Sequence, residues 1–182
     1  MENGEKYPFK DTSFTLVILS AICITLCALG LEQDQFKFTG QEMSLWETHN
    51  CLGNQTALAA PCVVTKTADL ACQDLAKYLR AVAAFAFINL IVCVAIFLTS
   101  VLDVFGIANL CLVSHALAVV AWVFMIPAWA LEISIMNRDW CGATESMKTQ
   151  GWMYATGWTL FLANWGFLSL VCIIFVAKVT GK

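Results

Sequence analysis

The sequence predicts an all-α membrane bundle: four transmembrane helices, with a small disulfide-tied and strand-bearing outer domain in the first loop. Three observations predict it. Apolar residues make up 60% of the 182-residue chain and charged residues 13%, with a mean hydropathy of +0.75, whereas soluble domains are about 45–50% apolar and about 25% charged. The apolar residues fall into four long runs. Four of the nine cysteines lie in two segments that this arrangement puts on one side of the membrane.

The runs cover about 13–31, 81–102, 107–131 and 152–177, and none contains Asp, Glu, Lys or Arg. A helix needs about 20 apolar residues to cross the hydrocarbon, and in lipid an isolated span satisfies its backbone only as a helix. The first run is long for a signal peptide, whose apolar region is about 7–15 residues, so it is read as a span. The chain is then one membrane domain, with outer loops 32–80 and 132–151 on one face. A short turn around Asp103 and both termini lie on the other. Segment 36–46 alternates loosely, with Phe36, Phe38 and Gly40 on one parity, which suits strands. Segment 67–80 is helix-like and extends the second span. Pro127 predicts a kink in the third.

Orientation rests on two signals, because Lys and Arg lie on both faces. Asn54-Gln55-Thr56 is a glycosylation sequon in the first loop, usable only on the lumenal or extracellular side. Cys51, Cys62, Cys72 and Cys141 are confined to the same face, which suggests disulfides in an oxidising compartment. Four cysteines allow three pairings. The expected placement is the plasma membrane with cytosolic termini, an organellar membrane being the alternative. Cys23, Cys27, Cys93, Cys111 and Cys172 fall in spans, where cysteine behaves as a small apolar residue. The loop cysteines lack the tight C-x-x-C spacing of a zinc site, so no metal is expected.

Ser44-Leu45-Trp46, then Cys51 and Cys62, then Arg80 opening an Ala- and Phe-rich span, resemble the claudin-like four-span superfamily. Within it the chain is similar to the amastin family of kinetoplastid surface proteins. The resemblance implies a Cys51–Cys62 bond, with Cys72 and Cys141 as the remaining pair, and structural roles for Leu45, Trp46 and Arg80. The pattern departs at Ser44, where claudins have Gly, and at Glu47, where the amastin signature has Gly. Trp46 is expected to pack on the disulfide or to sit at headgroup level. Arg80 is expected to anchor the loop through carbonyls or through Asp69, Asp74 or Glu132, the alternative being a side chain that snorkels.

Asn89, Ser114, His115 and Asn164 lie inside spans. They are read as helix-to-helix hydrogen bonds, with His115 the best candidate for more, because a proton path needs carboxylates that the runs lack. Glu132 and Arg138 are placed just beyond the third run. Trp152, Trp158 and Trp165 are read as one stripe on the fourth helix. No metalloprotease, nucleophile-elbow or phosphate-loop motif occurs, so no enzymatic activity and no cofactor is expected. Nor is nucleic acid a partner at a net charge of −3. The expected partners are the lipid bilayer and neighbouring proteins or further copies of the chain. The expected role is structural, in adhesion or surface interaction. An accessory subunit of a larger complex and a small transporter or pore are the alternatives.

Overall fold

A computed structural model describes residues 10–51, 62–143 and 145–180. Asn54 and the terminal lysines Lys6 and Lys182 lie outside them.

Four helices form the bundle: α1 (Lys10–Glu32), α2 (Gln73–Val104), α3 (Cys111–Asn137) and α4 (Thr156–Thr180). Each is long and apolar enough to cross a membrane. On α2 the buried residues Ala76, Leu79, Val82, Ala83, Ala86, Asn89, Cys93, Ile96 and Ser100 recur at helical spacing and mark one inward face. Small side chains dominate it, as close packing without a hydrophobic driving force requires. At Gly30 an added Cβ would lie 2.7 Å from the Phe161 ring, so α1 and α4 touch through a glycine.

The α2–α3 turn is tightly specified. Gly106, at φ 69°, donates to the Asp103 carbonyl, and Ile107 N–H donates to that of Leu102, each at 3.0 Å. This is a Schellman stop for α2. The Asp103 carboxylate then accepts from the N–H of Leu110, the residue that opens α3, at 2.9 Å, and from the Ser13 hydroxyl of α1.

Five short strands cap the opposite end: β1 (Phe36–Phe38), β2 (Gln41–Met43), β3 (Glu47–Asn50), β4 (Val63–Lys66) and β5 (Met153–Tyr154). They form one antiparallel sheet in the order β4-β3-β2-β1-β5. The alternating segment is thus a hairpin whose two-residue turn, Thr39-Gly40, puts Gly40 at φ 74°. The sheet is not confined to the first loop. Gly151, at φ 92°, turns the second loop so that β5 pairs with β1.

Helix limits differ from the apolar runs where polar residues join helices. The second helix starts at Gln73, reached through a 3₁₀ turn at Thr67–Asp69. The third begins at Cys111, because 107–110 belong to the turn, and continues through Pro127 to Asn137. Glu132 is therefore not beyond the helix: it lies within α3, wholly buried. The fourth helix starts at Thr156, because the pairing with β1 takes Met153 and Tyr154.

Candidate interaction surface

The sheet domain is fixed to the bundle through the carbonyls that end α1. The last carbonyls of a helix have no partner within it. Here Gln33 N–H donates to Leu29 at 3.0 Å, the Gln35 Nε2 amide to Gly30 at 2.6 Å, and the Trp46 indole Nε1 to Leu31 at 2.8 Å. Gln35 is fully buried and its backbone bonds Met43 and Ala155, so one residue joins α1, β2 and the entry to α4.

Trp46 is held at its backbone as well. Its N–H donates to the Ser44 hydroxyl at 3.2 Å, and its carbonyl accepts from Thr67 N–H at 2.7 Å. Ser44 Oγ also accepts from Glu47 N–H at 3.0 Å, closing the β2–β3 turn. A hydroxyl therefore stabilises the turn where the claudin pattern carries Gly. Leu45 points inward at 1% exposure, while the Trp46 ring stays 50% exposed. Trp46 and Cys51 bracket the two ends of β3, roughly 16 Å apart at the rise of a strand, so the indole does not pack on the disulfide.

Cys51 is bonded to Cys62 and Cys72 to Cys141. The second bond joins the start of α2 to the second loop. Beside it Tyr78 meets Trp140 edge-on at 4.9 Å. Arg138 donates to the Tyr78 hydroxyl at 2.8 Å and lies 5.4 Å from the Trp140 ring centre. Arg80 does less: it is exposed, and its guanidinium reaches one loop carbonyl, Ala68, at 3.3 Å. The acidic partners expected for it are otherwise placed. Asp74 pairs with Lys77 at 3.0 Å, Glu132 is buried, and Asp69 forms no ion pair among the described residues.

A chain of rings links the sheet to α3 and α4. Phe36 meets Tyr154 at 5.9 Å, Tyr154 stacks on Trp158 at 4.4 Å, and Trp129 lies 6.2 Å from Trp158 and 4.8 Å from Trp165. Trp122 extends it at 5.7 Å from Trp165 and donates to Ser169 at 2.8 Å. Trp152 is not in this row; it stacks on Phe38 in the sheet domain.

Inside the bundle, Cys27 donates to the Ala86 carbonyl and accepts from Asn89 Nδ2. Ser114 donates to Thr99 at 2.8 Å, joining α2 to α3. Asn164 is buried with no hydrogen bond among the described residues, as are both oxygens of Glu132. His115 donates from Nδ1 to the Cys111 carbonyl one turn earlier at 2.7 Å, with its ring 4.7 Å from Phe175. That geometry is packing within and between helices.

Two clefts open on the sheet domain. One, of about 460 Å³, is lined by Glu32, Asp34, Glu47, Trp46 and His49 among others. Burial, reinforced by Glu42 and opposed by His49, holds the Asp34 carboxyl above its ordinary pKa. The other, of about 180 Å³, is largely apolar and lies between Met43 of β2 and the second loop. Gln35 and β5 have no sequence signal, because an amide five residues beyond the carbonyl it caps and a two-residue strand have no period to detect. Arg138 is legible as a charge at the end of the third span, but its partner Tyr78 is not.

A family model described as amastin surface glycoprotein matches residues 13–176. A search of curated proteins gives no match.

Proposed function

Because the chain belongs to the amastin surface glycoprotein family, we propose that it is a non-enzymatic membrane surface protein whose sheet domain is its interaction surface. The reading places that domain outside the cell and the termini and Asp103 in the cytosol, in the plasma membrane. The observation that carries it is the fixation just described. Strands from both loops form one sheet, tied by two disulfides and by the Gln35 and Trp46 caps on α1. A domain held in one geometry loses little further entropy when it binds a neighbour. The bundle favours a structural role over a pore. The small cavities in its described part beside Cys23 and Cys93 and beside His115 are about 10 Å³ each, no more than one water apiece.

Tagged full-length chain, extracted in mild detergent and recovered by its tag, tests the reading. Recovery of further copies or of other surface proteins is expected. A single companion at fixed stoichiometry, with no self-association, would favour the accessory-subunit alternative instead.

A further inference from the structure

At β4 the sheet ends in an edge that no described strand pairs. β4 ends the strand order, and its Val63 and Val64 are 65% and 49% exposed. Successive strand residues point to opposite faces, so two exposed valines mean that both faces of β4 stand clear of the bundle. Such an edge offers a row of backbone donors and acceptors together with apolar side chains, a combination that proteins ordinarily blunt or cover. Lys66, also exposed, closes the strand and forms no ion pair among the described residues.

Elsewhere on the same domain lies the complementary feature. The cleft of about 180 Å³ is walled by Met43, Leu75, Trp140, Met147 and Trp152, with the exposed Glu145 among its lining residues. Glu145 likewise has no ion-pair partner among the described residues. An apolar knob flanked by a lysine and an apolar socket flanked by a glutamate match in polarity and in charge. Copies inserted in one membrane share their orientation, so their domains lie at one height and meet side by side.

We propose that the Val63–Val64 edge of one copy seats in the Met43, Trp140, Met147 and Trp152 socket of a second copy, with Lys66 facing Glu145. The inference rests on the reading of the sheet domain as an interaction surface, and names its partner. Each copy carries both halves of the contact on different patches, so the contact is heterologous, and copies propagate as a row or close as a ring rather than stopping at a two-fold dimer.

The test uses full-length protein in native membranes. Val64→Cys with Gln150→Cys, which places the second thiol in the socket lining, is treated with a short bifunctional thiol reagent. A ladder of dimers, trimers and larger species is expected, with neither single variant giving it. Lys66→Glu or Glu145→Lys should each cut the ladder roughly tenfold, because like charges then face each other, and the two together should restore it. Both positions are exposed, so melting and surface delivery of these variants serve as the folding control. A dimer from Val64→Cys alone would mean that β4 pairs with β4 and would overturn the proposal, as would charge reversals without effect or cross-linking only to other proteins. Loss of the ladder with self-recovery by the tag intact sinks this contact while leaving the broader reading standing.

Discussion

The indole of Trp46 donates its only hydrogen bond to the carbonyl of Leu31, 2.8 Å away across the junction of sheet and bundle. The ring face stays half exposed, so the residue acts chiefly through that one N–H. Trp46→Phe keeps an aromatic ring, though a smaller one, and removes the donor, leaving a helix-end carbonyl without its partner. A loss of about 1–2 kcal/mol is expected, read as a lower melting midpoint in detergent. An unchanged midpoint would mean that the indole merely marks the membrane interface.

Glycines rank themselves by what a methyl would meet. At Gly157 an added Cβ falls 2.2 Å from Gln35 Nε2 and 2.8 Å from the Gln33 carbonyl oxygen, a backbone atom that cannot swing away. At Gly30 the obstacle is the buried Phe161 ring, and at Gly166 nothing lies within 4 Å. Alanine should therefore be most damaging at Gly157, next at Gly30 and tolerated at Gly166. Thermal midpoints of the three variants give the order directly, and equal midpoints would show that the α1–α4 contact is loose.

The two arginines of the sheet end separate in the same way. Arg80 makes a single exposed bond to a carbonyl, which a lysine ammonium can replace, so Arg80→Lys should change stability by less than about 1 kcal/mol. Arg138 bonds the Tyr78 hydroxyl and lies over two rings. Lysine lacks the planar fork for that arrangement, and Arg138→Lys should cost about 1 kcal/mol. Melting curves that place Arg80 as the costlier site would restore it as the anchor.

Asp34 sets an acid-side signature. Its carboxyl is held above the ordinary value, first by burial and then by Glu42, so the folded state disfavours the anion. The penalty is absent below the unfolded pKa of about 3.9, develops as pH rises through the raised folded value, and is full above it. Asp34→Asn should accordingly raise the melting temperature at neutral pH, with the two proteins converging as pH falls below that range. A variant less stable than the parent at neutral pH would mean that the carboxylate has a favourable partner.

How far the sequence reaches follows from the length scale of each signal. Four uncharged runs of membrane length leave no alternative to four helices, and cysteines on one face with Leu45 and Trp46 between α1 and the first disulfide locate the sheet domain. A charge ends an apolar run and so puts Glu132 outside it, yet a charge does not end a helix, and α3 carries Glu132 inward. Likewise Trp152 opens the fourth apolar run, but Gly151 diverts it onto Phe38 and the helix starts only at Thr156. Gln35 joins α1 to the entry of α4 through Ala155, Arg138 reaches Tyr78 sixty residues away, and β5 exists only because β1 supplies an edge. These are tertiary facts with no local pattern.

The central claim is that the disulfide-tied sheet domain lies outside the cell and carries the association. Cross-linking of the full-length chain on intact cells, before and after a membrane-impermeant reductant, tests it most directly. Opening Cys51–Cys62 and Cys72–Cys141 from outside should abolish the cross-linked species while the monomer remains in the membrane. Association that persists with both bonds open and their thiols alkylated would contradict the account and move the contact into the spans.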